Sequence, residues 1–492
     1  MRKYIINSLT ALAISASLAS CGDNFLETKY YKGIDVETAL TSEANIQTAL
    51  TGVYNQLYDY RFAGNYAVNI GDIPTDLSYW NTKTGHFDGI YQYSFDDKDT
   101  YLYYIWDYGF KVVNNSARII KAGNGMLGSS SDATTLNKEL AEAYALRAYS
   151  NLIMANVFCH QVKVNGTDFS SKPGLPISDE PIVAFQKISR STVGETYDKI
   201  VADLKVSIDK FTAAGGDRGD KCYFTKASVE GLLARTYLYL EKWDEAKTYA
   251  QAALKDGNIT VLNYKTTDYK ALYNGGSSNT ESLFYLDINA TQNWSANSSG
   301  TLWSTYNYSP SPKLLAMYGA NDVRKSIQTW DKTSVDVTPV YGGGKYAAFA
   351  SSNPAFATNY LINAPEMFLI IAEANIKLGG DHLADAQNAL LVVAKRNTSI
   401  TSVTDLPQDI TSLYAFLKDE RARELFQEGL RLWDLRRWDT KASIEAYAAP
   451  AVKFRVDNYT ISNLIYPIPA DEINAGFGIE QNDWASTIPA IE

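Results

Sequence analysis

The chain has 492 residues, 46% hydrophobic and 20% charged, and its 45 Lys+Arg against 55 Asp+Glu give a formal net charge of -10. That length supports a sizeable buried core, and the acidic balance repels phosphate backbones, which argues against a nucleic-acid partner. Three Cys and three His are too few for a disulfide-rich scaffold or an imidazole-built centre, whereas 35 Tyr beside 18 Phe and 9 Trp is an excess that needs a use.

Arg2 and Lys3 precede an apolar or small stretch from Tyr4 to Ala19, which closes on Leu18-Ala19-Ser20-Cys21. This reads as a lipoprotein signal peptide. The stretch is shorter than the roughly 20 residues that span a membrane, and small residues before a Cys mark the thiol that receives diacylglycerol. Residues 1–20 are expected to be cleaved, Cys21 to carry diacylglycerol and fatty acid, and 21–33 to form a tether beside the lipid. Several acyl chains on one residue anchor a protein stably. No other cofactor or metal is expected, and nothing later approaches 18 consecutive apolar residues. Cys159 and Cys222, beside aromatic neighbours, are expected as buried thiols.

Helical periodicity dominates the rest of the chain. Ile46, Leu50, Val53, Tyr54 and Leu57 recur at three- and four-residue steps, as do Val193, Tyr197, Ile200, Leu204, Ile208 and Phe211. Thr192-x-x-Glu195 is a capping box at the start of that second helix, and Gly215-Gly216 marks its end. From Ala227 to Leu254, the residues Leu233, Ala234, Tyr237, Ala246 and Ala253 match a tetratricopeptide unit, with Lys242-Trp243-Asp244 as its turn. Pro365–Arg396 repeats the pattern with a turn two residues longer, at Gly379-Gly380. Less regular helices at 136–157 and at 101–122 are expected to form further pairs with 42–60 and 193–211. The fold expected is therefore all-α, about four tetratricopeptide-like helix pairs forming a superhelical scaffold, with long irregular loop regions that carry short strands.

Two stretches concentrate the aromatics and break the pattern. Residues 60–108 contain 14 Phe, Trp or Tyr, and residues 264–308 contain nine among Asn, Ser, Thr and Gly. Loop-rich insertions are expected at about 61–100 and 257–358 of a single domain spanning 34–492, and such insertions usually serve function. Tyrosines at helical spacing, such as Tyr144, Tyr237, Tyr239 and Tyr249, are expected to pack between helices.

Familiar catalytic text is absent: there is no H-E-x-x-H and no G-x-S-x-G, and Gly342-Gly343-Gly344-Lys345 is followed by Tyr346 rather than Ser or Thr, so it reads as a flexible turn. Asp96-Asp97-Lys98-Asp99 lacks the spacing of a calcium loop and reads as a solvated or capping cluster.

The stretch Lys418 to Trp438, KDERARELFQEGLRLWDLRRW, resembles the ERxxELxxEGxRxxDLxRW text of the SusD/RagB family of outer-membrane nutrient-binding lipoproteins. Glu139–Asn156 with Gly174-Leu175-Pro176-Ile177, Ala364–Gly379, and Ile465-Tyr466-Pro467-Ile468-Pro469 support the likeness. Within that stretch, Glu420, Arg421, Glu424, Glu428 and Arg431 fall at three- and four-residue steps, and mutual pairing on one helix accounts for them without a ligand. The resemblance implies a non-enzymatic protein on the outer membrane, facing the exterior, that captures glycans and delivers them to a SusC-type TonB-dependent transporter. Peptide capture, as in the RagB branch, and a surface glycoside hydrolase are the alternatives. Aromatic rings stack on the C–H faces of sugars while polar groups bond the hydroxyls, so Arg61, Asp76, Tyr79 and Trp80 from the first region, with Trp294, Trp303 and Tyr306 from the second, are the expected glycan-binding residues.

Overall fold

Ser42 opens the first long helix, α1 (Glu43–Tyr58), by accepting the Asn45 amide, and one face of the helix buries Ile46, Leu50, Val53, Tyr54 and Leu57. The computed structural model describes residues 39–81, 84–306, 308–331, 340–347, 349, 351, 353–439, 441–448 and 454–489. The expected signal peptide, Cys21 and the tether to Gly33 lie outside the described residues.

Asp99 starts α2 (Thr100–Met126), accepting the amides of Tyr101 and Leu102, so the acidic cluster at 96–99 contains a helix cap. Asp132 caps α3 (Ala133–Phe158), which is buried round most of its circumference. The reciprocal capping box of Thr192 and Glu195 opens α4 (Val193–Ala213) as expected. Two further pairs come next: α5 (Lys226–Tyr239) with α6 (Trp243–Asp256), and α7 (Ala364–Leu378) with α8 (Leu383–Ala394). Helices α1 and α2, α3 and α4, α5 and α6, and α7 and α8 pack together, and α2 meets α3, α4 meets α5 and α6 meets α7, which joins the four pairs into one stack.

Small residues make these approaches close. Ala234, Ala246, Ala250 and Ala253 have no exposed surface, and the Tyr237 and Tyr249 rings stack 5.6 Å apart. The turn between α5 and α6 lies two residues earlier than expected: Glu241 adopts φ +53°, and Trp243 already belongs to the helix.

The last long helix, α9 (Ile410–Leu425), packs on α7 and leads to α10 (Arg431–Arg437). The pairing expected within this stretch is a correction. Glu420, Arg421 and Glu424 are buried, and their main partners lie off their own helix. Arg421 pairs with Asp434 at 2.7 Å, and Arg324 reaches Glu420 at 2.7 Å and Glu424 at 3.0 Å. Glu428 takes Lys345, and Arg431 takes Asp76; of the expected residues only Glu420 also has a partner three residues away, Arg423. Burial explains the difference, because a charge removed from water needs a fixed partner, whereas pairs along an exposed helix contribute only tenths of a kcal/mol. Gly343 and Gly344 do adopt positive φ, but their turn is packed, with Lys345 buried.

Short strands join distant loops. These are β1 (Ser78–Trp80), β2 (Ser282–Leu286), β3 (Tyr308–Pro310), β4 (Asn359–Asn363), β5 (Lys441–Ala448) and β6 (Phe454–Thr460). One sheet runs β6-β5-β1-β3, with β1 antiparallel to β3 and parallel to β5, and β2 pairs with β4. Cys159 is buried and Cys222 half-buried, both as free thiols. No helix among the described residues is long and apolar enough to cross a membrane.

Candidate functional site

The chain turns sharply after α1. The amides of Phe62 and Gly64 donate to the Asp59 carbonyl at 2.9 and 3.0 Å, and that of Tyr66 donates to the Tyr60 carbonyl at 2.9 Å. Gly64 has no alternative, since a Cβ there would stand 2.2 Å from the Tyr58 carbonyl oxygen. Phe62 and Ala63 point into the core with no exposed surface, which leaves Tyr60 and Arg61 at the surface.

Buried amides fasten the second aromatic region onto this turn. The Asn65 side chain donates to the Asn297 carbonyl at 2.8 Å, Asn69 donates to the Ser299 hydroxyl at 3.0 Å, and the Trp303 indole donates to Asn69 Oδ1 at 2.6 Å. The Trp294 indole N–H in turn donates to the Tyr58 carbonyl at 3.0 Å.

The result is a continuous aromatic surface. The Trp294 ring lies 5.3 Å from Tyr58 and 5.9 Å from Tyr60; Tyr60 meets Tyr66 edge-on at 5.4 Å, and the run continues to Tyr104 at 6.5 Å and Tyr108 at a further 6.4 Å. All six rings are partly exposed. The Arg61 guanidinium sits among them, 4.4 Å from the Tyr108 centroid, 5.0 Å from Tyr60 and 5.6 Å from Tyr104. Asp59 grips it through two bonds of 2.8 Å, and this contact holds the guanidinium above even its high ordinary pKa. Helix α2 supplies Tyr104 and Tyr108 one turn apart on one face. Such a surface offers ring faces and edges to C–H groups, with N–H and O–H groups at the rim.

Of the expected binding residues, Arg61 and Trp294 come together here. Tyr306, partly exposed, stacks on His86 at 4.0 Å, beside Phe87, whose ring meets Tyr66 at 5.5 Å. Tyr79 is half-buried in β1. Three expectations are corrected. Trp303 has no exposed surface and packs against Tyr308 and Phe426, so it ties loops together and presents no face to a ligand. Trp80 is 7% exposed, its N–H bonded to the Thr84 carbonyl and its ring against Tyr91. Asp76 is 2% exposed and clasped by Arg431 at 2.8 and 2.9 Å and by Lys313 at 2.6 Å; burial alone would raise its pKa, but these cations hold it well below the carboxylate range. The rings not expected were Tyr58, Tyr60, Tyr66, Tyr104 and Tyr108. The signal for two of them was present, since Tyr101, Tyr104 and Tyr108 follow the Asp99 cap at helical spacing.

On its other side α2 lines a groove of about 510 Å³, where Trp106, Phe110 and Val113 face Phe185, Phe477 and Ile479. Asn114 clamps the near wall, donating to the Ile182 carbonyl at 2.9 Å and accepting its amide at 2.7 Å. The turn beyond leaves Val183 63% and Phe185 83% exposed, with Phe185 at φ +63°, a costly conformation for a bulky side chain.

A family model described as starch-binding associating with outer membrane matches residues 24–238, and the SusD family model matches residues 344–484. Together they cover well over half of the chain, which belongs to the SusD/RagB family. A SusD-like protein of Bacteroides ovatus is 22% identical over 300 residues, 58% of this chain and 50% of that protein; the chain thus spans about half the length of this curated relative. The fold is that of a solved SusD superfamily protein from Bacteroides thetaiotaomicron, with a TM-score of 0.77 at 22% identity over 89% of this chain and 99% of that one. A SusD-like carbohydrate binding protein from Bacteroides vulgatus gives a TM-score of 0.72 at 18% identity, over 89% and 98% of the two chains.

Proposed function

We propose that this protein captures glycans at the cell surface and delivers them to a SusC-type TonB-dependent transporter, held on the outer membrane by lipid on Cys21. The observation that carries the reading is the continuous surface from Trp294 through Tyr60, Tyr66 and Tyr104 to Tyr108, with Arg61 at its centre. Rings are rigid, so ordering them on a sugar costs little entropy, and a row of them suits a chain of sugar units. SusD-like proteins are binding proteins rather than enzymes, which agrees with a site built from rings and paired cations. The description of the matching family model, starch-binding associating with outer membrane, supports both ligand class and address.

Isothermal titration against a panel of hexasaccharides tests the reading. At least one is expected to bind, and Trp294→Ala and Tyr104→Ala are each expected to weaken it several-fold, in line with about 0.5–1.5 kcal/mol per aromatic contact. Undiminished affinity in both variants removes the surface from consideration. Peptide capture is the second reading, favoured by the groove beside Phe185 and Phe477, whose aliphatic and aromatic walls suit apolar side chains better than hydroxyls. It gains if a casein digest binds, no hexasaccharide does, and Phe185→Ser abolishes the peptide binding.

A further inference from the structure

Resting on the glycan reading, the geometry points to selection for uncharged sugars: we infer that the aromatic surface takes neutral glycans and rejects those bearing uronate or sulfate. A site for an anionic polymer needs cations free to pair with it. Among the described residues, both cations that touch the rings are already paired with a carboxylate. Arg61 spends Nε and Nη2 on the two Asp59 oxygens, at 2.8 Å each, and Asp59 Oδ1 is also fixed by the Arg61 amide at 3.0 Å. Lys111 lies 4.4 Å from the Tyr108 ring centroid and bonds Asp107 at 2.6 Å.

An arriving carboxylate or sulfate that bonds the free N–H groups of Arg61 meets a cation whose charge Asp59 already cancels, and one that draws Arg61 away leaves Asp59, only 8% exposed, as an unpaired buried charge beside the ligand's own. A hydroxyl asks for no such exchange. A guanidinium has five N–H donors, so three remain after Asp59 is served, and the Arg61 side chain is 28% exposed. The surface is therefore polar without being cationic. The wider field has the same sign: next to Tyr103 and Tyr104 a second hollow is lined by Asp97 and Asp471 with Lys98, and the whole chain carries -10.

The test compares affinities of the purified protein, by titration at low salt, for neutral hexasaccharides of glucose, xylose, mannose and arabinose, for a galacturonate hexamer and for a heparin hexasaccharide. At least one neutral probe is expected to bind at least tenfold more tightly than either charged one. Asp59→Asn keeps the shape and releases the Arg61 charge, and is expected to narrow that gap about tenfold. Asp107→Asn, which releases Lys111 from an exposed pair, gives the same readout in smaller measure should the first variant not fold. Charged probes binding the unaltered protein as tightly as neutral ones overturns the selectivity and leaves the glycan reading standing; so does an unchanged gap in the folded variants. Failure of every hexasaccharide to bind overturns the glycan reading, and the selectivity with it.

Discussion

Trp294 and Trp303 lie nine residues apart in one polar stretch, Trp303 within the short helix Ser299–Ser304, yet they do different work. The indole of Trp294 is anchored by one hydrogen bond to the Tyr58 carbonyl and leaves its ring partly exposed. That of Trp303 is sealed between Tyr308 and Phe426 and bonded to buried Asn69. Trp303→Ala is therefore expected to cost about 3–5 kcal/mol of stability, and Trp294→Ala under about 1 kcal/mol, read by urea unfolding; equal losses would contradict the division. Asp76 makes the same point for charge. It has the residue type of a sugar ligand, but its carboxylate closes a buried contact with α10, so Arg431→Met is expected to destabilise the fold by about 3–5 kcal/mol by leaving that charge underpaired.

At the scale of elements, the turn between α1 and the short helix Tyr66–Asn69 decides where the surface forms. It closes so tightly that Gly64 abuts the Tyr58 carbonyl, and that same carbonyl accepts the Trp294 indole. Gly64→Ala is expected to lower the melting temperature and weaken ligand together, because the clash displaces the acceptor. Gly125, near the exposed end of α2, where an added Cβ would meet nothing within 4 Å, serves as the contrast: Gly125→Ala is expected to stabilise by about 0.5–1 kcal/mol through helix propensity and to leave affinity unchanged. Helix α2 itself does two jobs, with Tyr104 and Tyr108 on the aromatic surface and Trp106 and Phe110 on the groove. Its periodicity was legible in sequence. Which of its faces met solvent was not, because that depends on α1 and on loops far away in the chain.

Across the whole molecule the buried acids divide into two groups with opposite pH signatures. Burial pushes Asp72, Glu142 and Glu230 up to about 7. The fold favours their neutral forms, so their contribution is complete below pH 4 and is lost as pH rises through 7. Burial would also raise Glu373 and Glu420, but Arg437 and Arg324 outweigh it and hold both at about 2; their contribution is present above pH 4.5 and is lost as pH falls through 2. The melting temperature is expected to peak near pH 5, to decline toward pH 8 and to collapse below pH 3. Glu142→Gln is expected to flatten the alkaline decline, and a melting temperature constant from pH 5 to 8 in the unaltered protein would refute this balance.

The helices of the stack, the Thr192–Glu195 cap and the family resemblance are legible in the sequence alone. Those features are written locally, in apolar spacing at three and four residues, in Thr192 with Glu195, and in the run from Glu420 to Trp438. Composition also exposed the tyrosine excess and bounded the chemistry by its lack of histidine and cysteine. Which aromatics meet solvent and which charges are spent is set by the tertiary fold. Exposure and pairing belong to contacts between residues hundreds of positions apart, such as Trp294 on Tyr58 and Asp76 on Arg431, and no local pattern encodes them. Arg61 beside Asp59 shows both levels at once: the two residues are close neighbours in the chain, but only the fold surrounds their neutralised pair with tyrosines.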